Sequence, residues 1–255
     1  VKRLGEMEEQ GRLTPGKQIM VIPCVDPYSM NVQKRFWSID NTNINRMFPG
    51  YSLGETTQRI AAGVFEAVQD FPLGVQFSSF YMPGAFVPHV RMMKTGYEDP
   101  ELACQFGLPY VILHAPRPFD TTTPNYNWQI WETKAFSLYT NSNGRVDQAS
   151  AREAVESVLG FLAGQGLLRY HRYGGFLSRI VESKDMVSLR AKRAGFFESF
   201  VPPGQEMEPG VPLFRILDPY LGTEQSRQTA PETGTVAFIR DEAMTYESTT
   251  VVKLI

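Results

Sequence analysis

The sequence predicts an α/β domain over about residues 1–170 followed by a small all-β domain over about 175–255. Two changes of pattern and a break between them support this. Through the first two thirds of the chain, apolar runs of strand length alternate with helical stripes, the order that builds a sheet covered by helices on both faces. Beyond residue 175, Pro202, Pro203, Gly204, Pro209, Gly210, Pro212, Pro219, Gly222, Pro231 and Gly234 punctuate short alternating segments, as in a barrel or sandwich of hairpins. The polar, aromatic and glycine-rich residues 170–175 read as the linker.

Each element has its own signal. Residues 19–25 (IMVIPCV) are a nearly unbroken apolar run, suited to a central strand covered on both faces. Residues 52–68 read as a helix, with Ser52 and Glu55 spaced as a capping box and Ile60, Val64 and Val68 on one face. Pro100 opens a short helix that reaches Phe106 and stops at Gly107. Residues 110–113 and 136–139 read as buried strands. Residues 149–162 form the clearest helix, with Ala151, Val155, Val158, Leu159 and Leu162 on one stripe and Gly164 and Gly166 as stops.

Composition narrows the function classes. The chain has 255 residues, of which 42% are hydrophobic, enough to bury a substantial core. A formal net charge of −2 supplies no general field for nucleic acid. No apolar run approaches the roughly 18 residues of a membrane span. No signal sequence is visible, and two cysteines without a disulfide framework fit a cytoplasmic setting. Cys24 and Cys104 read as buried free thiols.

Residues 43–50, NINRMFPG, carry the most chemistry. Arg46 presents a fork of N–H donors fitted to a carboxylate, and Asn43 and Asn45 add neutral donors and acceptors beside it. Phe48-Pro49-Gly50 then forces a turn, either on the open surface or at the rim of a pocket. Residues 116–131 (PRPFDTTTPNYNWQIW) read as a long loop that either walls a ligand pocket or buries its rings as satellite core. His89, two residues before Arg91, is the best placed of the three histidines; it is either a pocket residue or a histidine hydrogen-bonded within the fold. His114 ends an apolar strand and His171 lies in the linker. Such dispersed histidines have no zinc-binding spacing.

NINRMFPG resembles the DLNRxFPG loop of the succinylglutamate desuccinylase/aspartoacylase family, zinc hydrolases with a carboxypeptidase-like fold. Upstream, QIMVIPCVDP (18–27) is similar to the family's strand ending I-P-x-x-N-P, with Asp26 where the family commonly has Asn. FVPHVRM (86–92) resembles its P-x-V-R segment. Residues 195–255, with APETGTV and a terminal VKLI, resemble its C-terminal β-barrel, itself similar to lipoyl-type domains, although no lysine stands at a hairpin tip to carry a cofactor. The resemblance implies a mixed sheet with flanking helices and hydrolysis of the acyl amide of N-acyl amino acids. It places Asn45 and Arg46 on the substrate carboxylate, with His89, Arg91 and Tyr126 as further substrate-binding residues. The implied partner is a small carboxylate; an oligomer stays open.

The departures from the family concern its metal. There, zinc is held by the His and Glu of an H-G-x-E motif and by a His ending a strand I-D-L-H, and a Glu in a later strand is the general base. This chain has no H-G-x-E, so the first two ligands are missing either from the protein or from this chain alone, whose first domain reads as lacking its N-terminal part; a zinc enzyme would need a His/Glu pair upstream of Val1. The matching strand reads V-Q-F-S, which puts Ser78 at the third-ligand position. Tyr139 stands at the position of the Glu, and a shifted alignment would bring Asn141 or Asn143 there. Zinc belongs to the family, and no cofactor is expected in this chain as given. Two functions follow: a zinc amidohydrolase, or a metal-free protein that binds a small carboxylate. Either way, Arg46 should face the main cavity of the first domain, and the β domain should stand near the cavity mouth.

Overall fold

A computed structural model describes residues 1–79, 82–141 and 147–255. The first part opens with α1 (Lys2–Glu9) and a short α2 (Pro27–Asn31), whose N-cap Asp26 accepts the Ser29 N–H at 2.9 Å. Then follow α3 (Thr56–Val68), β1 (Leu73–Ser78), β2 (Gly84–Phe86), β3 (His89–Met93), α4 (Pro100–Cys104), β4 (Tyr110–His114), α5 (Pro124–Ile130), β5 (Lys134–Tyr139) and α6 (Gln148–Gly164). With β6 (Arg179–Glu182) they give a mixed sheet in the order β1-β5-β3-β4-β6, in which the β5–β3 pair is antiparallel and the others parallel. Its core is aromatic: Phe106 and Phe161 stack at 4.0 Å, and the edge of Phe136 meets Phe161 at 5.4 Å.

Four expectations about local structure are corrected. Residues 19–25 are not a strand; Met20, Val21, Ile22 and Val25 are exposed, and only the side chain of Ile19 reaches the core. An apolar run specifies burial on two faces but not which strand it will pair with, and the five strands of this sheet pair among themselves. The third helix starts at Thr56, not Ser52: Glu55 is the N-cap, and its N–H donates to Gln58 Oε1 at 3.0 Å. On α6 the stripe is rotated, because Ala151 and Val155 are exposed while Ser150, Ala154, Ser157 and Phe161 are buried. Serine can hold a core position there, since Ser157 Oγ donates to Phe106 O at 2.7 Å. Residues 116–131 are not one loop but a 3₁₀ turn (Pro118–Asp120) followed by α5, which Thr123 caps and Pro124 opens.

In the second part, β7 (Val187–Arg190), β8 (Gly195–Ser199), β9 (Glu206–Met207), β10 (Pro212–Leu217), β11 (Glu224–Thr229), β12 (Gly234–Arg240), β13 (Met244–Thr245) and β14 (Thr250–Leu254) form an all-β unit. One sheet has the order β11-β10-β8-β13 and the other β2-β12-β14-β7, with β9 also paired to β12. Two strands cross between the parts. Arg179–Glu182 lies beyond the linker yet extends the first sheet beside β4, and Gly84–Phe86 from the first part adds itself to β12. The linker is tied down as well: Phe176 N–H donates to Gly107 O at 3.0 Å, and Ser178 Oγ to Leu108 O at 2.6 Å.

Gly84 makes that second crossing possible. Its φ is +156°, and a Cβ there would stand 2.3 Å from the Ile239 carbonyl oxygen. We predict that Gly84→Ala lowers stability by about 1–3 kcal/mol by wedging β2 away from β12. Urea denaturation would measure it, and an unchanged midpoint would contradict the pairing.

Candidate ligand-binding site

The NINRMFPG loop folds locally before it contributes chemistry. Asn43 Oδ1 accepts the Asn45 N–H at 3.1 Å and opens a 3₁₀ turn, Ile44–Arg46. Phe48 N–H then donates to Thr122 O at 2.9 Å, and Asn127 Nδ2 reaches Phe48 O at 3.1 Å, which fastens the loop to α5. Gly50 ends the loop at φ +94°, where a Cβ would strike the Ala62 backbone nitrogen at 2.1 Å. Arg46 is thereby placed in the wall of a cavity of about 1010 Å³, its side chain one-third exposed.

The strand ends and the second part supply the remaining walls. Arg46 Nη1 donates to Phe119 O at 2.8 Å and lies 3.4 Å from Asp120 Oδ1, which leaves its other N–H groups for a ligand. Gln76 Nε2 donates to Asn45 Oδ1 at 3.1 Å, which ties the Asn45 amide to β1 by its acceptor end. Arg91 comes from β3 and Arg117 from the turn before α5; Lys253 reaches the same cavity from β14, with Phe238 beside it from β12. Among the described lining residues, Arg35, Arg46, Arg91, Arg117 and Lys253 face only Asp120 and Glu242 as carboxylates. A chain with a net charge of −2 thus gathers a positive field in one place. Burial, followed by the charges of Arg91, Arg117 and Arg190, lowers the pKa of Lys253.

Strand register explains the centre of the site. Ser78 on β1 is paired with Tyr139 on β5, and Tyr139 with His89 on β3, so the three form one row across the sheet and all line the cavity. The imidazole of His89 stacks on Tyr139, with centroids 4.9 Å apart and planes within 3°. Its Nδ1 is 2.9 Å from Val87 O, which can only accept, so Nδ1 carries the proton and Nε2 the lone pair. Burial, outweighing the Val87 bond and aided by Arg91 and Lys253, lowers the His89 pKa to about 4. His114 also lines the cavity and accepts from Arg91 Nε at 3.2 Å; burial, then Arg91, lowers its pKa to about 4. Both rings are neutral at neutral pH.

Of the residues singled out in the sequence, the cavity brings together Asn45, Arg46, Ser78, His89, Arg91 and Tyr139. Tyr126 does not line it; it is half-buried on α5, where successive residues are about 100° apart around the axis, so it does not share the face of Asn125. Asn141 follows β5, with its N–H donating to Ser150 Oγ at 2.9 Å, and Asn143 lies outside the described residues. His171 stays in the linker against Tyr173. Sequence reasoning missed His114, Asn125 and Lys253 as site residues. Lys253 had a signal: it alternates with Val252 and Leu254 on a strand, on the side shared with the buried Val251.

The residues present do not fit zinc. Zinc takes thiolate, imidazole or carboxylate, whereas the row offers a serine hydroxyl and a phenol beside an imidazole. Among the described residues, no three His, Cys, Asp or Glu side chains converge.

No protein-family model matches the chain, and neither does any curated protein. Solved structures do. An aspartoacylase family protein from Mesorhizobium loti superposes with a TM-score of 0.76 at 19% identity, over 99% of this chain and 78% of that one. A succinylglutamate desuccinylase/aspartoacylase from Rhodobacter sphaeroides gives 0.74 at 19% identity, over 91% and 73%. The product-bound ectoine utilization protein of Ruegeria pomeroyi gives 0.73 at 18% identity, over 92% and 73%. The chain has the fold of these proteins.

The neutral imidazoles set a pH dependence. Unfolded, these histidines take up protons near 6.5, and folded only near 4, so between these values the unfolded state binds more. The stability they confer is complete above about pH 6.5 and is lost as pH falls toward 4. NMR titration should therefore find His89 and His114 changing protonation near pH 4; a His89 midpoint near 6.5 would show that the ring is not buried as described.

Proposed function

We propose that this chain is a divergent member of the succinylglutamate desuccinylase/aspartoacylase family that binds a small carboxylate of the N-acyl amino acid class without zinc chemistry. The observation that carries the reading is the convergence of Arg46, Arg91, Arg117 and Lys253 on one cavity whose register row holds Ser78 and Tyr139. Guanidinium forks and an ammonium match carboxylates, and a bound anion relieves the mutual repulsion of these cations. Asn45 and Arg46 hold one carboxylate at the rim. Arg91, oriented by His114, and Lys253 act from the deeper wall. The C-terminal unit is read as the family's lipoyl-like barrel, used here as a second cavity wall rather than as a cofactor carrier. The setting is cytoplasmic.

The second reading is hydrolysis of the same ligand, favoured by the fold shared with the desuccinylase and aspartoacylase structures. It requires a nucleophile-generating group. Tyr139 stands where the resemblance places the carboxylate base, so that group would have to come from elsewhere.

Isothermal titration with N-acetyl-L-aspartate is expected to show binding that weakens about tenfold or more in Arg46→Ala and falls as salt rises. Elemental analysis of the same sample is expected to find zinc well below stoichiometric. Stoichiometric zinc together with amide cleavage would replace this reading with the hydrolase.

A further inference from the structure

Two polar side chains in the cavity wall are almost wholly buried and hold polar atoms without a hydrogen-bond partner. Asn125 is 2% exposed, and neither its Oδ1 nor its Nδ2 makes a hydrogen bond. His89 is 3% exposed, and Nε2, its lone-pair nitrogen, has no partner either. The neighbours of Asn125 on α5 show what a structural amide looks like here. Asn127 Nδ2 lies within 3.1 Å of the carbonyls of Phe48, Thr121 and Thr123, and Gln129 Nε2 donates to Met93 O at 3.0 Å. Gln129 Oε1 is itself unpartnered, but both of these amides engage their nitrogen in the fold, whereas Asn125, in the cavity wall, engages neither end. Buried polar groups without partners are costly, and where they line a cavity a ligand can complete them.

The unfilled groups specify that ligand by their hydrogen-bonding sense. Arg46, Arg91, Arg117 and Lys253 offer donors alone, which suit carboxylates. Asn125 Oδ1 and His89 Nε2 are acceptors, and Asn125 Nδ2 is a donor. A ligand built only of carboxylates brings no donor and leaves both acceptors empty. An N-acyl amino acid carries an amide N–H and C=O between its charged ends, the complement of a carboxamide. We infer that Asn125, with His89, reads the amide of the bound ligand and selects N-acyl amino acids over plain dicarboxylates and esters. This rests on the carboxylate-binding reading above and names the group that sets its specificity.

The test compares N-acetyl-L-aspartate with O-acetyl-L-malate, which differ by N–H against O, using isothermal titration on the whole chain. The amide is expected to bind about tenfold or more tighter, because the ester repels the acceptors that the amide satisfies. Asn125→Leu is expected to remove that preference by weakening the amide alone. A purely structural role for Asn125, or a bridging water in its place, would leave the ratio unmoved. Equal affinities in the unaltered chain, or a preference that survives Asn125→Leu, overturn the inference and leave the carboxylate reading standing. Failure of both compounds to bind overturns the two together. The unaltered-chain comparison needs no variant, so it decides the inference even where Asn125→Leu perturbs folding.

Discussion

Backbone pairing between β2 and β12 is the constraint on which the site depends. β2 belongs by sequence to the first part and by hydrogen bonding to the second, with Phe86 opposite Phe238 and Gly84 opposite Arg240. Three residues after β2 the chain enters β3, which carries His89 and Arg91; two strands from β2 in the other sheet lies β14, which carries Lys253. The short strand therefore fixes the distance between cations that come from different ends of the chain. A tethered pair of independent domains would have to gather those charges at an entropic cost each time a ligand bound, whereas this arrangement has them gathered beforehand.

Holding the cations together has its own cost: burial first, and then the charge of Arg91, lowers the pKa of Lys253, His89 and His114. The fold offsets part of it locally. Asp120 stands against Arg46, and its other oxygen accepts the Arg117 N–H at 3.0 Å, so one carboxylate orients two arginine-bearing segments. The Phe119 ring takes both guanidiniums, with its centroid 5.2 Å from Arg46 and 5.8 Å from Arg117. These contacts hold two arginines with a single carboxylate, which leaves the excess positive charge that an anion site requires.

Much of this was legible in the sequence, unevenly and for physical reasons. The loop at Arg46 could be read because its chemistry is local: Asn43 caps, Arg46 projects, and Gly50 turns, all within eight residues. The strands of residues 110–113 and 136–139 could be read because buried strands are apolar throughout. The run at 19–25 misled for the same reason, since apolarity alone does not supply a pairing partner. The α6 stripe misled because Ser150 and Ser157 are buried through hydrogen bonds to distant backbone, at Asn141 and Phe106, that no periodicity encodes. Asn125 stayed hidden in a segment read as a loop. Its place in the cavity wall follows from a helix start at Thr123-Pro124 that aromatic and polar composition obscured.

The row of Ser78, Tyr139 and His89 sets the chemistry of this part of the cavity. The resemblance assigned Ser78 and Tyr139 to a metal-ligand and a general-base position from two separate strands, and the register sets the two residues side by side. A carboxylate at position 139 would set a negative charge against the surrounding cations; the chain has a tyrosine there, and the imidazole of His89 stacks upon its ring. On the binding reading, the hydroxyl and imidazole groups of this row stand beside the cations that line the same cavity. The cavity then suits an intact anionic ligand, because guanidinium and ammonium groups match carboxylates and the neutral groups hydrogen-bond the remainder.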